Sequence, residues 1–386
     1  LMFTNRAQEG AGLKNENLVI VETYNIVFIA NRADIFGGAI RNWKVNSTRT
    51  VNCIFKVNLA MNIGGVICSK HVSNALYLKC VFVGNRKSTI SIETGAILMI
   101  KESKFEHNHG DYGGGLNVKF YDMVQIEATY FAVNHCQGNG GGIIMTDTDK
   151  CFISNSYFFR NKAEEYGGGI NFYYGRKVHL NNVTFVRNAG WTGSGASLIF
   201  AQVISKTTEA TVVDARATSV LIKICTFENN TGSYGAGLYV KYSIFTRIEM
   251  SNFILNSGKK NGGGVMIDHV VKCFIRKSYF NKNKAYNFGG AVFMYNSVLL
   301  SMISCVIFNN SASTGAGIMN DYLIILEMYK DVFMTNHANF LGGAIRNWKV
   351  NITRTVNCIF KVNLARKIGG AVCSKHVINA LYFNCV

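Results

Sequence analysis

The chain is predicted to be all-β: a right-handed parallel β-helix of about 14 coils of 26–27 residues, spanning residues 1–386 as one continuous solenoid. Three observations predict it. A Phe-x-x-Asn phrase recurs along the whole chain, a Gly-Gly-Ala-type corner follows each copy by about six residues, and proline is absent from all 386 residues.

The phrase comes first. It reads Phe28-Ile-Ala-Asn31 before Gly37-Gly38-Ala39-Ile40, Phe131-Ala-Val-Asn134 before Gly140-Gly141-Gly142-Ile143, and Phe280-Asn-Lys-Asn283 before Gly289-Gly290-Ala291-Val292. Its first position falls at Met2, Phe28, Phe55, Phe82, Phe105, Phe131, Phe158, Phe185, Phe227, Phe253, Phe280, Ile307, Phe333 and Phe360, and Asn stands three residues later each time, as at Asn31, Asn58, Asn134, Asn283 and Asn336. Self-similarity at this period signals a repeat architecture. The segments between corners are short, β-branched and aromatic, which argues strands rather than helices. In a parallel β-helix each position sits about 4.8 Å from its own copy in the next coil. Phe28, Phe55, Phe131, Phe280 and Phe333 should then form an inward ring column. The asparagines should take the left-handed corner conformation and bond to one another from coil to coil. Gly37 and Gly38 mark a corner that needs positive φ or has no room for a Cβ.

The missing proline supports an uninterrupted ladder, because proline removes a backbone donor. Two residues before each Phe runs a column of mostly small side chains, including Cys53, Cys80, Ser103, Ser156, Cys225, Cys305, Asp331, Cys358 and Cys385. It holds six of the 11 cysteines, which read as buried filler; an oxidising compartment would allow Cys53–Cys80 and Cys358–Cys385 rungs.

Two features break the period. The step from Phe185 to Phe227 is about fifteen residues too long, which predicts a loop over 205–219, with Lys206 and Arg216 as its binding candidates. On a larger scale, the stretch from Ala39 to Val81 returns almost verbatim from Ala344 to Val386, so 2–81 and 307–386 are copies in a 305-residue tandem duplication. The expectation is a fragment of a longer chain, cut inside a coil at each end, with end-to-end self-association or continuation in the same chain.

Lys and Arg outnumber Asp and Glu by 40 to 22, a formal charge of +18. An acidic glycan or a host receptor fits that balance. The cations are scattered without interleaved aromatics, which excludes a nucleic-acid interface. No apolar run reaches the roughly 18 residues of a transmembrane segment.

The paired Phe-x-x-Asn and Gly-Gly-Ala phrases resemble the repeat of the chlamydial polymorphic outer-membrane proteins. The resemblance covers essentially the whole chain and implies β-helical surface proteins that mediate adhesion. That family's signal peptide and C-terminal barrel are not found in these residues, which shifts the expectation toward a filament segment.

Enzymatic chemistry on this fold needs carboxylates gathered on one face. Asp268 and Asp321 share a column but lie two coils apart with Tyr295 between them, and Asp147 and Asp149 sit on one coil. No catalytic residue and no cofactor is predicted. For a metal, the candidates are His109 and His135, each four residues after its Phe on adjacent coils, with Cys136 next to them and His107 and Asp111 nearby. The expected function is a non-enzymatic structural or adhesive protein, extracellular or on the cell surface. The alternative is a carbohydrate-active β-helix enzyme, a polysaccharide lyase or glycosidase.

Overall fold

Each coil is closed by the same backbone pairing, residue against its own copy. The computed structural model describes residues 1–201 and 218–386. Its regular elements are β-strands, paired in parallel, and they build a right-handed parallel β-helix of about fourteen coils. The Lys206 and Arg216 candidates, with nearly all of the 205–219 insertion, lie outside the described residues. Two compact units emerge: one comprises residues 1–175 with 182–196, the other 176–181 with 197–386.

In the first unit the rings of Phe28, Phe55, Phe82, Phe105, Phe131, Phe158 and Phe185 stack face to face, with centroids 4.5–4.9 Å apart and planes within 13°. All seven are fully buried. The strand spacing imposes this offset-parallel stack, since a one-coil rise is close to the preferred ring separation. In the second unit Phe227, Phe253 and Phe280 stack at 4.8 and 4.9 Å, Ile307 takes one rung, and Phe333 and Phe360 resume at 5.1 Å. Each buried ring is worth roughly 1.5–3 kcal/mol of transfer free energy.

The asparagines form the predicted ladder by a different backbone route. Asn31 Nδ2 donates to Asn58 Oδ1 at 3.0 Å, and the same oxygen accepts the Asn31 backbone N–H at 3.0 Å. The second Asn58 amide hydrogen goes to the Phe28 carbonyl at 3.0 Å, so both ends of the carboxamide are used. The ladder recurs through Asn134 to Asn161 in the first unit and through Asn283 to Asn310 and Asn336 to Asn363 in the second. The left-handed residue is not the asparagine, contrary to expectation. It is the one before it: Ala30 (φ 52°), Val57 (φ 55°), Val133 (φ 52°) and Lys282 (φ 53°). That corner aims the following Asn inward, where its hydrogen bonds repay the strained φ.

The glycine pair divides its labour. Gly37 has φ +64°, whereas a Cβ on Gly38 would lie 2.2 Å from the Gly65 carbonyl oxygen of the next coil. The cysteine column is filler. Cys53 and Cys80 are free and buried, and their thiols donate to carbonyls instead, Cys53 to Val51 at 3.3 Å and Cys80 to Thr50 at 3.4 Å. Cys358 and Cys385 are likewise free.

Candidate functional site

Alternation along one strand of the second unit sets up the site. Strand Val265–Asp268 turns Val265 and Ile267 into the core, which leaves Met266 and Asp268 on the other face. In-register pairing copies this choice from coil to coil. Tyr239, Met266, Phe293, Met319 and Arg346 stand in one column, and Lys241, Asp268, Tyr295, Asp321, Trp348 and Lys375 in the next. The first four members of the apolar column are buried although they face away from the core, because Tyr234, Tyr295 and Trp348 pack over them. The residue after each polar position is left-handed: Tyr242, His269, Asn296, Tyr322, Lys349 and His376. Two polar and aromatic columns therefore run side by side, repeating about every 4.8 Å.

The tightest polar cluster lies at Asp268. Its Oδ2 accepts from the Tyr239 hydroxyl at 2.8 Å and pairs with Lys241 Nζ at 3.2 Å, and its Oδ1 takes the Nδ1 side of His269. The carboxylate side chain is only 8% exposed, while His269 is 38% exposed. Burial alone would lower the pKa of Lys241, but Asp268 and Tyr242 outweigh it and hold the ammonium above its ordinary value. With Nδ1 committed to the carboxylate, His269 turns Nε2 toward the Asn296 amide, 3.4 Å away. The Tyr242 ring stands 5.3 Å from the imidazole and Tyr295 edge-on at 5.9 Å. A pocket of about 230 Å³ opens here, lined by Tyr242, His269, Val271, Asn296 and Val298 among others. A carboxylate that orients an imidazole and leaves its other nitrogen facing a pocket is the arrangement of a general base.

Two coils along, Asp321 is a different kind of carboxyl. Burial pushes its pKa up against the opposing pull of Lys349 and Arg346, and its Oδ1 is buried without a hydrogen-bond partner. Asp268 and Asp321 share a column across Tyr295, as the sequence suggests.

The metal candidates come together only in part. His109 and His135 pair in register, with their Nδ1 atoms 3.0 Å apart, and His135 Nε2 lies 3.2 Å from Glu164 Oε1. Lys162 holds that carboxylate at 2.6 Å. Cys136 points the other way: it is fully buried, and burial pushes its thiol up to about 12. Adjacent residues on a strand face opposite sides, so Cys136 does not join the histidines. His107 is exposed, and Asp111 is taken by Lys87 at 2.9 Å. Among the described residues no three His, Cys, Asp or Glu side chains converge on a metal position. The sequence reading missed His269, whose signal was the Asp-His step directly after strand Val265–Asp268.

No family model matches the chain, and no curated protein matches it. Among solved structures it is similar to a mutant of the periplasmic alginate epimerase AlgG, at a TM-score of 0.50 and 9% identity, over 95% of this chain and 76% of that one. The likeness is one of fold. It supports the parallel β-helix, and it corrects the functional expectation. The non-enzymatic adhesive or filament reading rested on the lack of carboxylates gathered on one face, yet the solved neighbour with this fold is an alginate epimerase. The physical reason lies in the columns above, because in-register stacking lines up side chains on one outer face without any loop. Among the described residues no helix is long and apolar enough to cross a membrane.

Proposed function

We propose that the chain is a carbohydrate-active β-helix that takes an acidic glycan along the two outer columns and performs proton-abstraction chemistry at His269. The observation that carries this reading is the Asp268–His269 pair, buttressed by Tyr239 and Lys241 and facing the Tyr242–Asn296 pocket. The coil rise of about 4.8 Å is close to the rise of one sugar unit, so successive coils offer successive subsites. Tyrosine and tryptophan rings give apolar faces for pyranose rings, and the +18 charge favours a polyanion.

A lyase fits better than a glycosidase. Hydrolysis calls for two carboxyl groups flanking the scissile bond. Asp268 already engages three side chains, which leaves Asp321 without a partner carboxylate for that task. Elimination instead removes the proton on the carbon next to the sugar carboxylate, forms a C=C bond and expels the glycosidic oxygen of the neighbouring carbon, which takes a proton from water; His269 Nε2 supplies the base. Lysines of the columns would offset the charge that develops on the carboxylate. This reading goes with a location outside the cytoplasm, where acidic polysaccharides are found, and the chlamydial-type repeat is in keeping with it.

The test is incubation of the purified chain with a panel of polyuronates, followed by ultraviolet absorbance for unsaturated products and a reducing-end assay. Unsaturated ends that disappear in His269→Ala support the reading. New reducing ends without unsaturation would point to the glycosidase. Absence of both, with no glycan retained, would refute it.

A further inference from the structure

Two arginines are buried without an ion pair, although Asp321 lies close enough to feel the charge of Arg346. Arg41 is 6% exposed and Arg346 is 3% exposed. A buried guanidinium ordinarily meets a carboxylate, because an unpaired interior charge is costly. Among the described residues no ion pair joins either arginine to an acid. Arg41 Nη1 points at Cys68 Sγ, 3.3 Å away, and its Nε has no partner. Arg346 Nη1 reaches the Cys373 carbonyl and Sγ, both at 3.2 Å.

Each arginine lies against a half-buried indole that collects further cations. Arg41 is 4.9 Å from the Trp43 ring centre, with Lys70 at 5.8 Å and His71 edge-on at 5.4 Å. Arg346 is 5.2 Å from Trp348, with Lys375 at 5.0 Å and His376 edge-on at 5.3 Å. One platform lies in each compact unit, and both come from the duplicated stretch. An indole surrounded by guanidinium, ammonium and imidazole groups, with no acid in ion-pair reach of the arginine, asks for an anion carried on a flat apolar body.

We propose that the Trp43 and Trp348 platforms are subsites for a sugar residue bearing a ring carboxylate, a uronate. The indole packs against the C–H face of the pyranose, and the arginine with the next coil's lysine takes the carboxylate. A neutral sugar would leave the guanidinium as unpaired as before. The two platforms differ in strength. Lys70 is drawn to Glu93 at 3.3 Å, whereas Lys375 has no ion pair among the described residues, so the Trp348 platform binds more tightly. This inference rests on the acidic-glycan reading above and extends it to a residue-level recognition site.

The test is calorimetric binding of a linear tetrauronide, with a neutral tetrasaccharide as control, to the full chain and to Arg346→Met, Arg41→Met and Trp348→Ala. Loss of one charge-assisted contact predicts about tenfold weaker uronide binding for Arg346→Met, and a smaller loss for Arg41→Met. Arg346→Met should keep or raise the melting temperature, because an apolar group of similar shape replaces an unpaired cation. Arg346→Lys restores the charge and should recover part of the affinity, which also serves if the methionine variant folds poorly. Uronide binding unchanged in both methionine variants would overturn the subsites and leave the functional reading intact. Equal binding of the neutral sugar would overturn the uronate assignment. Failure of every glycan to bind would overturn the functional reading itself.

Discussion

Asn134 reaches one coil forward to Asn161, donating to its Oδ1 twice, through Nδ2 at 2.9 Å and through the backbone N–H at 3.1 Å. Asn161 in turn gives its own amide hydrogens to the Phe131 carbonyl at 2.9 Å and to Asn188 Oδ1 at 3.1 Å. Each carboxamide is thus donor and acceptor at once, in a column with no exposure to water. Asn161→Asp keeps the shape but replaces two donors with an acceptor-only charge between carbonyl-type oxygens. We expect a loss of about 3 kcal/mol or more in chemical-denaturation midpoints. Asn161→Ala should cost less, about 1–3 kcal/mol, because it leaves neighbours unsatisfied without adding a charge.

The ring column offers a graded test. Phe131→Ala should destabilise by about 3–5 kcal/mol, since the cavity is walled by Phe105 and Phe158 and cannot collapse. Phe131→Ile should cost clearly less, because Ile307 already fills one rung of this column in the second unit. Equal losses for the two variants would argue against stacking as the organising contact.

Asp331 makes stability depend on pH. It sits fully buried in the small-residue column, and burial raises its pKa from 3.8 to about 7, against the pull of the Cys305 backbone N–H at 2.7 Å. A folded pKa above the unfolded one means that the folded state holds the proton more tightly. Its contribution is therefore fully present below about pH 4 and is lost as pH rises through about 7. Over that window this residue should remove roughly 4 kcal/mol. Asp331→Ser, matching Ser278 in the same column, should flatten the dependence in melts recorded from pH 4 to 8.

The dyad is tested by its orienting half. Asp268→Asn preserves size but removes the negative charge and turns one of the two acceptor oxygens shared by His269, Tyr239 and Lys241 into an NH2 donor, and we expect turnover of an acidic glycan to fall about a hundredfold or more with binding retained.

Nearly all of the coil could be read from the residues alone. In a parallel in-register stack a spatial column is a sequence period, so Phe28 over Phe55 and Asn31 over Asn58 announce themselves as a 27-residue recurrence. Two further details of the corner and the column were less legible. That Ala30 rather than Asn31 takes the left-handed corner depends on which way the chain must turn to bury the amide. That Cys53 and Cys80 remain thiols depends on carbonyls placed within reach of their sulfurs. The site was decided by tertiary structure. His376 stands in the same column as His269, but of the two only His269 follows an aspartate, and its meaning comes from Asp268 beside it and from Tyr239 and Lys241, which the neighbouring coil brings against that carboxylate. That Arg346 lies beyond ion-pair reach of Asp321 is likewise decided by the packing and not by the sequence. Periodicity reports what each coil shares with the next, whereas chemistry arises where one coil differs, and that difference has no period to reveal it.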